Sequence, residues 1–369
     1  MWEDLVRGTW KIKRLHSFIL KIFIRIIQYK KIHNTKMKKI IAIIAGGDSS
    51  EHDVSLRSAA GINSWLDRDK FIVYTVEISS KAWEAHLADG SKSPVNRHDF
   101  SFMDNGEKIT PDYAYITIHG TPGEDGILQG YFDLLHIPYS TSNVLVEAMT
   151  FNKFALNQYL KSFGIRVADS MLIREGQKVS DEDVISHIGL PCFIKPNAGG
   201  SSFGVTKVKT PEQIQPAIEK AMKESPEVLI ESMLVGTEIA NGVYNSKSGV
   251  HVLPITEVVS HNEFFDYDAK YNGAVEEITP ARLSDETTER VKKLTAAIYG
   301  IIGASGLARI DYIISHDKNA EGKDIDIINL LEINTTPGMT ATSFIPQQAA
   351  YAKIEMKDML NDIIAVKLS

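Results

Sequence analysis

The sequence predicts an α/β fold of two or three domains, and three observations carry that prediction. From Met37 onward, apolar runs of strand length alternate with segments of helical period, the pattern of strands layered against helices. The opening run KKIIAIIAGG is almost wholly apolar, which fits a strand buried in a parallel sheet. A chain of 369 residues has room for several cores, and its 43% hydrophobic and 24% charged content is that of an ordinary soluble globular protein.

The elements follow in order. After the opening strand, EHDVSLRSAAGINSWL carries apolar residues at helical spacing, and FIVYTVEIS and AYITIHG read as further strands. This first unit spans 37–142. A second, 143–230, starts with TFNKFALNQYLKSFG as one helix ended by Gly164. It continues with a helix DEDVISHIGL, a strand PCFIKPN, the turn AGGSSFG, a strand VTKV and a helix PEQIQPAIEKAMK. The third unit, 231–369, takes up the strand-rich run EVLIESML, TEIANGVYN and VHVLPITEVV. The long aromatic and charged loop SHNEFFDYDAKYNGAVEEITPA then reads as a lid. The helix ETTERVKKLTAAIYGII, the strands LARIDYIIS and IDIINLLEIN, and a C-terminal helix complete the chain.

Residues 1–36 differ from the rest. Nine basic residues against Glu3 and Asp4 give them a formal charge of +7, against −7 for the whole chain, so the remainder carries −14. FILKIFIRII is interrupted by Lys21 and Arg25 and is too short and too charged to span a bilayer. No small-residue cleavage site follows it, so the stretch reads as a basic, dispensable extension ahead of Met37. The acidic remainder argues against a nucleic-acid partner. A single cysteine, Cys192, excludes an intrachain disulfide and fits the cytoplasm; within LPCFI it reads as a packed, inert thiol.

Four segments could carry chemistry. GGDSSEHDVS sets glycines and backbone amides at a helix start, with Glu51 in the first turn. That is either a dipole-favoured acid or a carboxylate waiting for a substrate ammonium. Because it lacks the G-x-G-x-x-G spacing, nicotinamide chemistry loses support. KPNAGGSSFGVTKV places a lysine at a strand end before a Gly/Ser loop, which is either a flexible hairpin or a cradle for phosphate oxygens. In ESMLVGTEIA, Glu231, Leu234 and Glu238 could face adenine and ribose, although glutamates of this kind are usually just solvated. The fourth constellation is the most specific. LARIDYIIS sets Arg309 and Asp311 on one face of an otherwise apolar strand, and EINTTPGMT sets Glu332 and Asn334 on one face of another. Unpartnered burial of such groups is costly. Arg309 and Asp311 could simply pair with each other, and Glu332 and Asn334 could be a polar strand end. A hard cation bound by Asp311, Glu332 and Asn334 would explain the three together, with Arg309 beside it to stabilise developing negative charge.

Taken in order, GGDSSEHDVS, HGTPGEDG, IKPNAGGSSFGVTKV, FFDYDAKY, ARIDYII and LLEINTTPGMTATS resemble the D-alanine–D-alanine ligase family of the ATP-grasp superfamily, over roughly Met37 to the C-terminus. The resemblance implies an ATP-grasp fold behind an N-terminal Rossmann-like domain, and a homodimer. It implies ATP-dependent joining of two D-alanine molecules through an acyl phosphate, for peptidoglycan precursor synthesis. Two Mg²⁺ ions (or Mn²⁺) would be held by Asp311, Glu332 and Asn334. Lys153, Lys195, Ser202 and Lys270 would contact the ATP phosphates, and Glu231, Leu234 and Glu238 adenine and ribose. Glu51 would take the first ammonium, with Ser201 and Tyr271 locking the lid and His119 nearby. Arg309 and the Gly338 N–H would form the oxyanion hole, and Ser343 would hold the second carboxylate.

The chain departs from that family at Ala198-Gly199, where members often carry Arg-Glu, and at Met233, often aromatic. The nearest rival is a ligase whose second substrate is D-lactate or D-serine, which the Lys270-Tyr271 pair in the lid disfavours. Another ATP-grasp carboxylate–amine ligase ranks lower, because Glu51 in its motif suits a small amino acid. A silent nucleotide-binding regulator would have no need of Asp311, Glu332, Asn334, Arg309 and Lys195 together.

Overall fold

The first sheet is built around the apolar run KIIAIIAG. In the computed structural model, which describes residues 38–199, 203–260, 275–318 and 321–368, β1 (Lys39–Gly46) lies between β2 (Phe71–Ile78) and β7 (Tyr113–Ile116). It pairs with β7 in parallel, from Ile41 opposite Tyr113 to Ile44 opposite Ile116. The helix α1 (His52–Trp65) connects β1 to β2, as its periodicity predicts. The strands β3 (Trp83–His86) and β4 (Lys92–Pro94) extend the sheet antiparallel, and β5 (Phe102–Asp104) and β6 (Glu107–Ile109) make a separate hairpin. These four carry only three or four residues each, too few for alternation to show in the sequence. α2 (Ile127–Leu135) ends this region. Of the unit Met1–Lys39 only Lys38 and Lys39 are described, so the basic extension lies outside the described residues.

The expected single helix across 150–164 is instead two, α3 (Val144–Phe151) and α4 (Lys153–Lys161), broken at Asn152. Asn152 adopts an extended conformation, and its Oδ1 accepts from the Ala155 N–H at 2.9 Å, capping α4. Asn197 holds the break from outside, donating from Nδ2 to the same oxygen at 2.9 Å. The periodicity runs through this point; a side chain from 45 residues away interrupts it. The break makes Lys153 the first residue of a helix rather than an interior one.

An antiparallel sheet follows in the order β10-β9-β11-β8, from β8 (Ser170–Arg174), β9 (Cys192–Pro196), β10 (Thr206–Val208) and β11 (Glu227–Ser232). It is covered by α5 (Asp181–His187) and α6 (Ile214–Met222) around the buried Cys192.

The last sheet has the order β14-β13-β12-β15-β16, from β12 (Thr237–Ser246), β13 (Gly249–Ser260), β14 (Val275–Ile278), β15 (Leu307–Lys318) and β16 (Asp324–Asn334). α7 (Asp285–Ile301) packs Val291 and Ile298 on one face, against Ile310, Tyr312, Ile314 and Leu330. Two helices, α8 (Phe344–Tyr351) and α9 (Met356–Lys367), stand where one was expected, separated by a turn at Lys353. They join the first sheet to the last through a core that includes Ile41, Tyr113, Leu307, Ile345 and Leu360.

Candidate active site

Alternation along β15 sends Ile310, Tyr312 and Ile314 into the core and leaves Arg309 and Asp311 on the opposite face. Whether Glu332 and Asn334 share that face depends on the pairing of β16. Tyr312 stands opposite Leu330, but Asp311 stands opposite Glu332, so Leu331 is an extra residue, a β-bulge. That one residue brings Glu332 beside Asp311 and Asn334 beside Arg309. Without it, Leu331 and Ile333 would occupy those places.

Three of the four polar groups are hydrogen-bonded together, with Glu332 opposite Asp311 in the strand pairing. Arg309 donates from Nε to Asp311 Oδ1 at 2.8 Å and from its NH2 nitrogen to Oδ2 at 2.7 Å, and Asn334 Nδ2 donates to the same Oδ2 at 3.2 Å. The guanidinium also lies over the Phe344 ring at 5.0 Å. Burial opposes its charge, but Asp311, with Glu332 and Glu238 behind it, raises the guanidinium pKa, so the group is permanently cationic. Among the described residues no cluster of three or more His, Cys, Asp or Glu could hold a metal. A cation here would need the Asn334 carboxamide oxygen as its third protein ligand.

Beyond Asn334 the chain turns through Thr335-Thr336-Pro337-Gly338, and side chains from three elements hold this loop. Thr335 Oγ1 donates to Glu147 Oε2 of α3 at 2.5 Å, and Thr336 Oγ1 donates to Glu124 Oε1 at 2.6 Å. The Met339 N–H donates to Ser58 Oγ of α1 at 3.1 Å. α1 can come this close because position 61 is glycine: a Cβ there would stand 2.4 Å from the Met339 carbonyl oxygen. Ser343, at the N-cap of α8, accepts from the Thr340 N–H at 3.1 Å.

Loop and sheet face line one cavity of about 880 Å³, which also takes in Glu51, His119, Lys153, Lys195, Glu231, Met233, Leu234 and Glu238. Lys153 Nζ donates to the Gly199 carbonyl at 2.6 Å. Burial pushes its ammonium below the usual range, Glu332 counters that, and Lys195 adds to it. Lys195 bridges to Glu231 Oε2 at 2.5 Å, and Asn157 Nδ2 donates to Glu231 Oε1 at 2.8 Å. Glu231 thus has both oxygens engaged at the edge of the cavity, with Leu234 beside it in the lining. His119 is 9% exposed, and its Nε2 has no hydrogen-bond partner among the described residues although the ring borders the cavity. Ser201, Ser202, Lys270 and Tyr271 lie outside the described residues.

Two family models match the chain, D-ala D-ala ligase N-terminus over residues 40–142 and D-ala D-ala ligase C-terminus over 159–365. The chain belongs to the D-alanine–D-alanine ligase family. A curated D-alanine–D-alanine ligase of Phocaeicola vulgatus is 65% identical over 331 residues, covering 90% of this chain and 100% of that protein. The crystal structure of a D-Ala:D-Ser ligase from Enterococcus faecalis superimposes with a TM-score of 0.77 at 28% identity, covering 90% of this chain and 100% of that one. A D-alanine–D-alanine ligase from Bacillus anthracis complexed with ATP gives 0.69 at 28% identity, with 89% and 97% covered. The fold is therefore the ATP-grasp fold, with a Rossmann-like domain ahead of it.

Within this ligase family site, Glu124, Glu147 and Ser58 are the side chains that sequence reasoning missed. Glu147 did leave a trace: it is the one acid in the otherwise apolar stretch VLVEAMTF. Burial raises both carboxyls, Glu147 to about 8.

Proposed function

We propose that this protein joins two molecules of D-alanine into D-alanyl-D-alanine, using ATP. The observation that carries the reading is the convergence of Arg309, Asp311, Glu332 and Asn334 on one sheet face, of which Arg309, Glu332 and Asn334 line the same cavity as Gly338, Lys153 and Lys195. A carboxylate oxygen of the first D-alanine attacks the γ-phosphorus, ADP leaves, and an acyl phosphate forms. The amine of the second attacks the acyl carbon, and inorganic phosphate departs with the C–O bond electrons. Lys153 and Lys195 sit where phosphate oxygens would neutralise them, and buried Lys153 gains most from that charge. Arg309 and the Gly338 N–H face the developing oxyanion. Glu51 and the unsatisfied Nε2 of His119 receive the first amino acid, and Ser343 at the α8 N-terminus receives the second carboxylate.

Turning the Asn334 amide over would set its oxygen beside Asp311 and Glu332. Two carboxylates and a carboxamide oxygen, with ATP phosphates and water, suit two Mg²⁺ ions, or Mn²⁺, better than a softer metal. Such ions supply charge neutralisation at the phosphates.

The test is phosphate release and product analysis with ATP, Mg²⁺ and, in turn, D-alanine, L-alanine, D-lactate and D-serine. Dipeptide from D-alanine, lost with EDTA and restored by Mg²⁺, is the expected result, and a chain beginning at Met37 should match the full one. No phosphate with any substrate would overturn the reading; phosphate only with D-lactate or D-serine added would move it to a ligase of that second substrate. We also propose a homodimer. Ile127 and Leu134, seven residues apart on α2, and Leu145 on α3 are 59%, 81% and 73% exposed, an apolar patch suited to a second copy. A monomer by analytical ultracentrifugation at assay concentration would rule it out.

A further inference from the structure

Glu147 occupies a place that apolar neighbours would ordinarily fill with a leucine or methionine. Its side chain is 0% exposed, in the first turn of α3. Burying a carboxyl is costly unless its oxygens are hydrogen-bonded, and both are. Oε1 accepts from the Ser142 N–H at 2.8 Å, and Oε2 accepts from Thr335 Oγ1 at 2.5 Å. Ser142 closes the segment leading out of the first sheet; Thr335 directly follows Asn334 and stands three residues before Gly338. From the end of α9, Lys367 reaches the same segment, donating to the Thr141 carbonyl at 2.6 Å with its ammonium 4.5 Å over the Tyr139 ring. One buried acid thus joins the first region, α3 and the loop that forms the reaction centre.

From this we infer that Glu147 is a positioning residue for the ligation reaction: through Thr335 it fixes the loop that presents the Gly338 N–H opposite Arg309. The inference rests on the ligase reading proposed above. Glu147 is fully buried and does not line the cavity, so it acts by removing slack from a loop whose donor must sit within a fraction of an ångström of the oxyanion. Thr336 and Glu124 anchor the next residue, so loss of Glu147 frees one end of the loop rather than all of it.

The experiment compares Glu147→Ala, Glu147→Gln and Thr335→Val with wild type in kcat, in KM for ATP and D-alanine, and in thermal unfolding. Glutamine can keep both bonds, its oxygen accepting from Ser142 and its amide nitrogen donating to Thr335 Oγ1. We expect Glu147→Ala and Thr335→Val each to lower kcat by about 10- to 100-fold, the scale of a loop displaced by an ångström, with KM for ATP unchanged. Glu147→Gln should restore most of kcat, and the double variant Glu147→Ala/Thr335→Val should be no slower than either alone, because both remove one link. A purely structural Glu147 would instead lower the melting temperature and leave kcat of the folded protein intact. That result in Glu147→Ala, or in Thr335→Val should the alanine variant not fold, overturns the inference while an active wild type leaves the ligase reading standing. A wild type that makes no dipeptide overturns both.

Discussion

Replacing Arg309 with alanine should abolish dipeptide formation while ATP still binds. The guanidinium is fixed in a bidentate grip on Asp311 and lies over Phe344, with only 16% of its side chain exposed. If it meets the developing oxyanion, its removal takes away stabilisation present only when charge develops on the acyl oxygen. Losing one such donor costs on the order of 10²–10³ in kcat, about 2.7–4 kcal/mol of barrier. Alanine has a second effect: it leaves Asp311 buried without its partner, and breaking a buried pair in this way costs roughly 3–5 kcal/mol of stability. Arg309→Lys separates the two effects. It keeps the positive charge beside Asp311 but loses the planar fork, so it should fold like wild type and still turn over slowly. Calorimetric titration with ATP, phosphate release and thermal unfolding, run side by side on both variants, decide the matter. Wild-type turnover in either folded variant removes Arg309 from the oxyanion role.

The largest effect on stability is expected at Gly306. It lies in the turn between α7 and β15 with φ +79°, and a Cβ there would stand 1.8 Å from the Ser140 carbonyl oxygen. A left-handed backbone costs a non-glycine residue about 1–2 kcal/mol by itself. The clash adds to this, and because its partner is main chain no rotamer change relieves it. The turn is also tightly tied down. The Gly306 N–H donates to Asn245 Oδ1 at 2.8 Å, its carbonyl accepts from Tyr299 Oη at 2.6 Å, and the Ser305 N–H donates to Ser142 Oγ at 3.0 Å. Gly306→Ala must therefore break these bonds or push Ser140–Ser142 away, and we expect a loss above about 4 kcal/mol, a large part of the 5–15 kcal/mol that holds a typical domain together. Denaturant unfolding of the purified variant measures it directly, and a midpoint close to that of wild type would show that the turn can relax.

Most of the fold was legible in the sequence because its signals are local. Alternation and length place β1, β12, β15 and β16, and helical period places α1 and α7, all against neighbours that reward the same pattern. The misreadings have distant and local causes. Asn197, 45 residues away, breaks the expected helix at Asn152; β3 to β6 are too short for alternation to show; and a left-handed turn at Lys353 splits the expected C-terminal helix. Of the loop read as a lid, the end forms β14 (Val275–Ile278), paired with β13, while residues 261–274 with Lys270 and Tyr271, and Ser201 and Ser202 of the glycine-rich turn, lie outside the described residues.

The candidate site divides in the same way. Residue type and a period of two, both properties of the chain itself, already put Arg309 with Asp311 and Glu332 with Asn334. Only the folded molecule decides that these two pairs look at each other, since that depends on how β16 registers on β15, and one inserted leucine sets it. The tie between Glu147 and Thr335 spans 188 residues. No pattern within either segment encodes it, because a hydrogen bond depends on where two groups stand in space and not on their separation along the backbone.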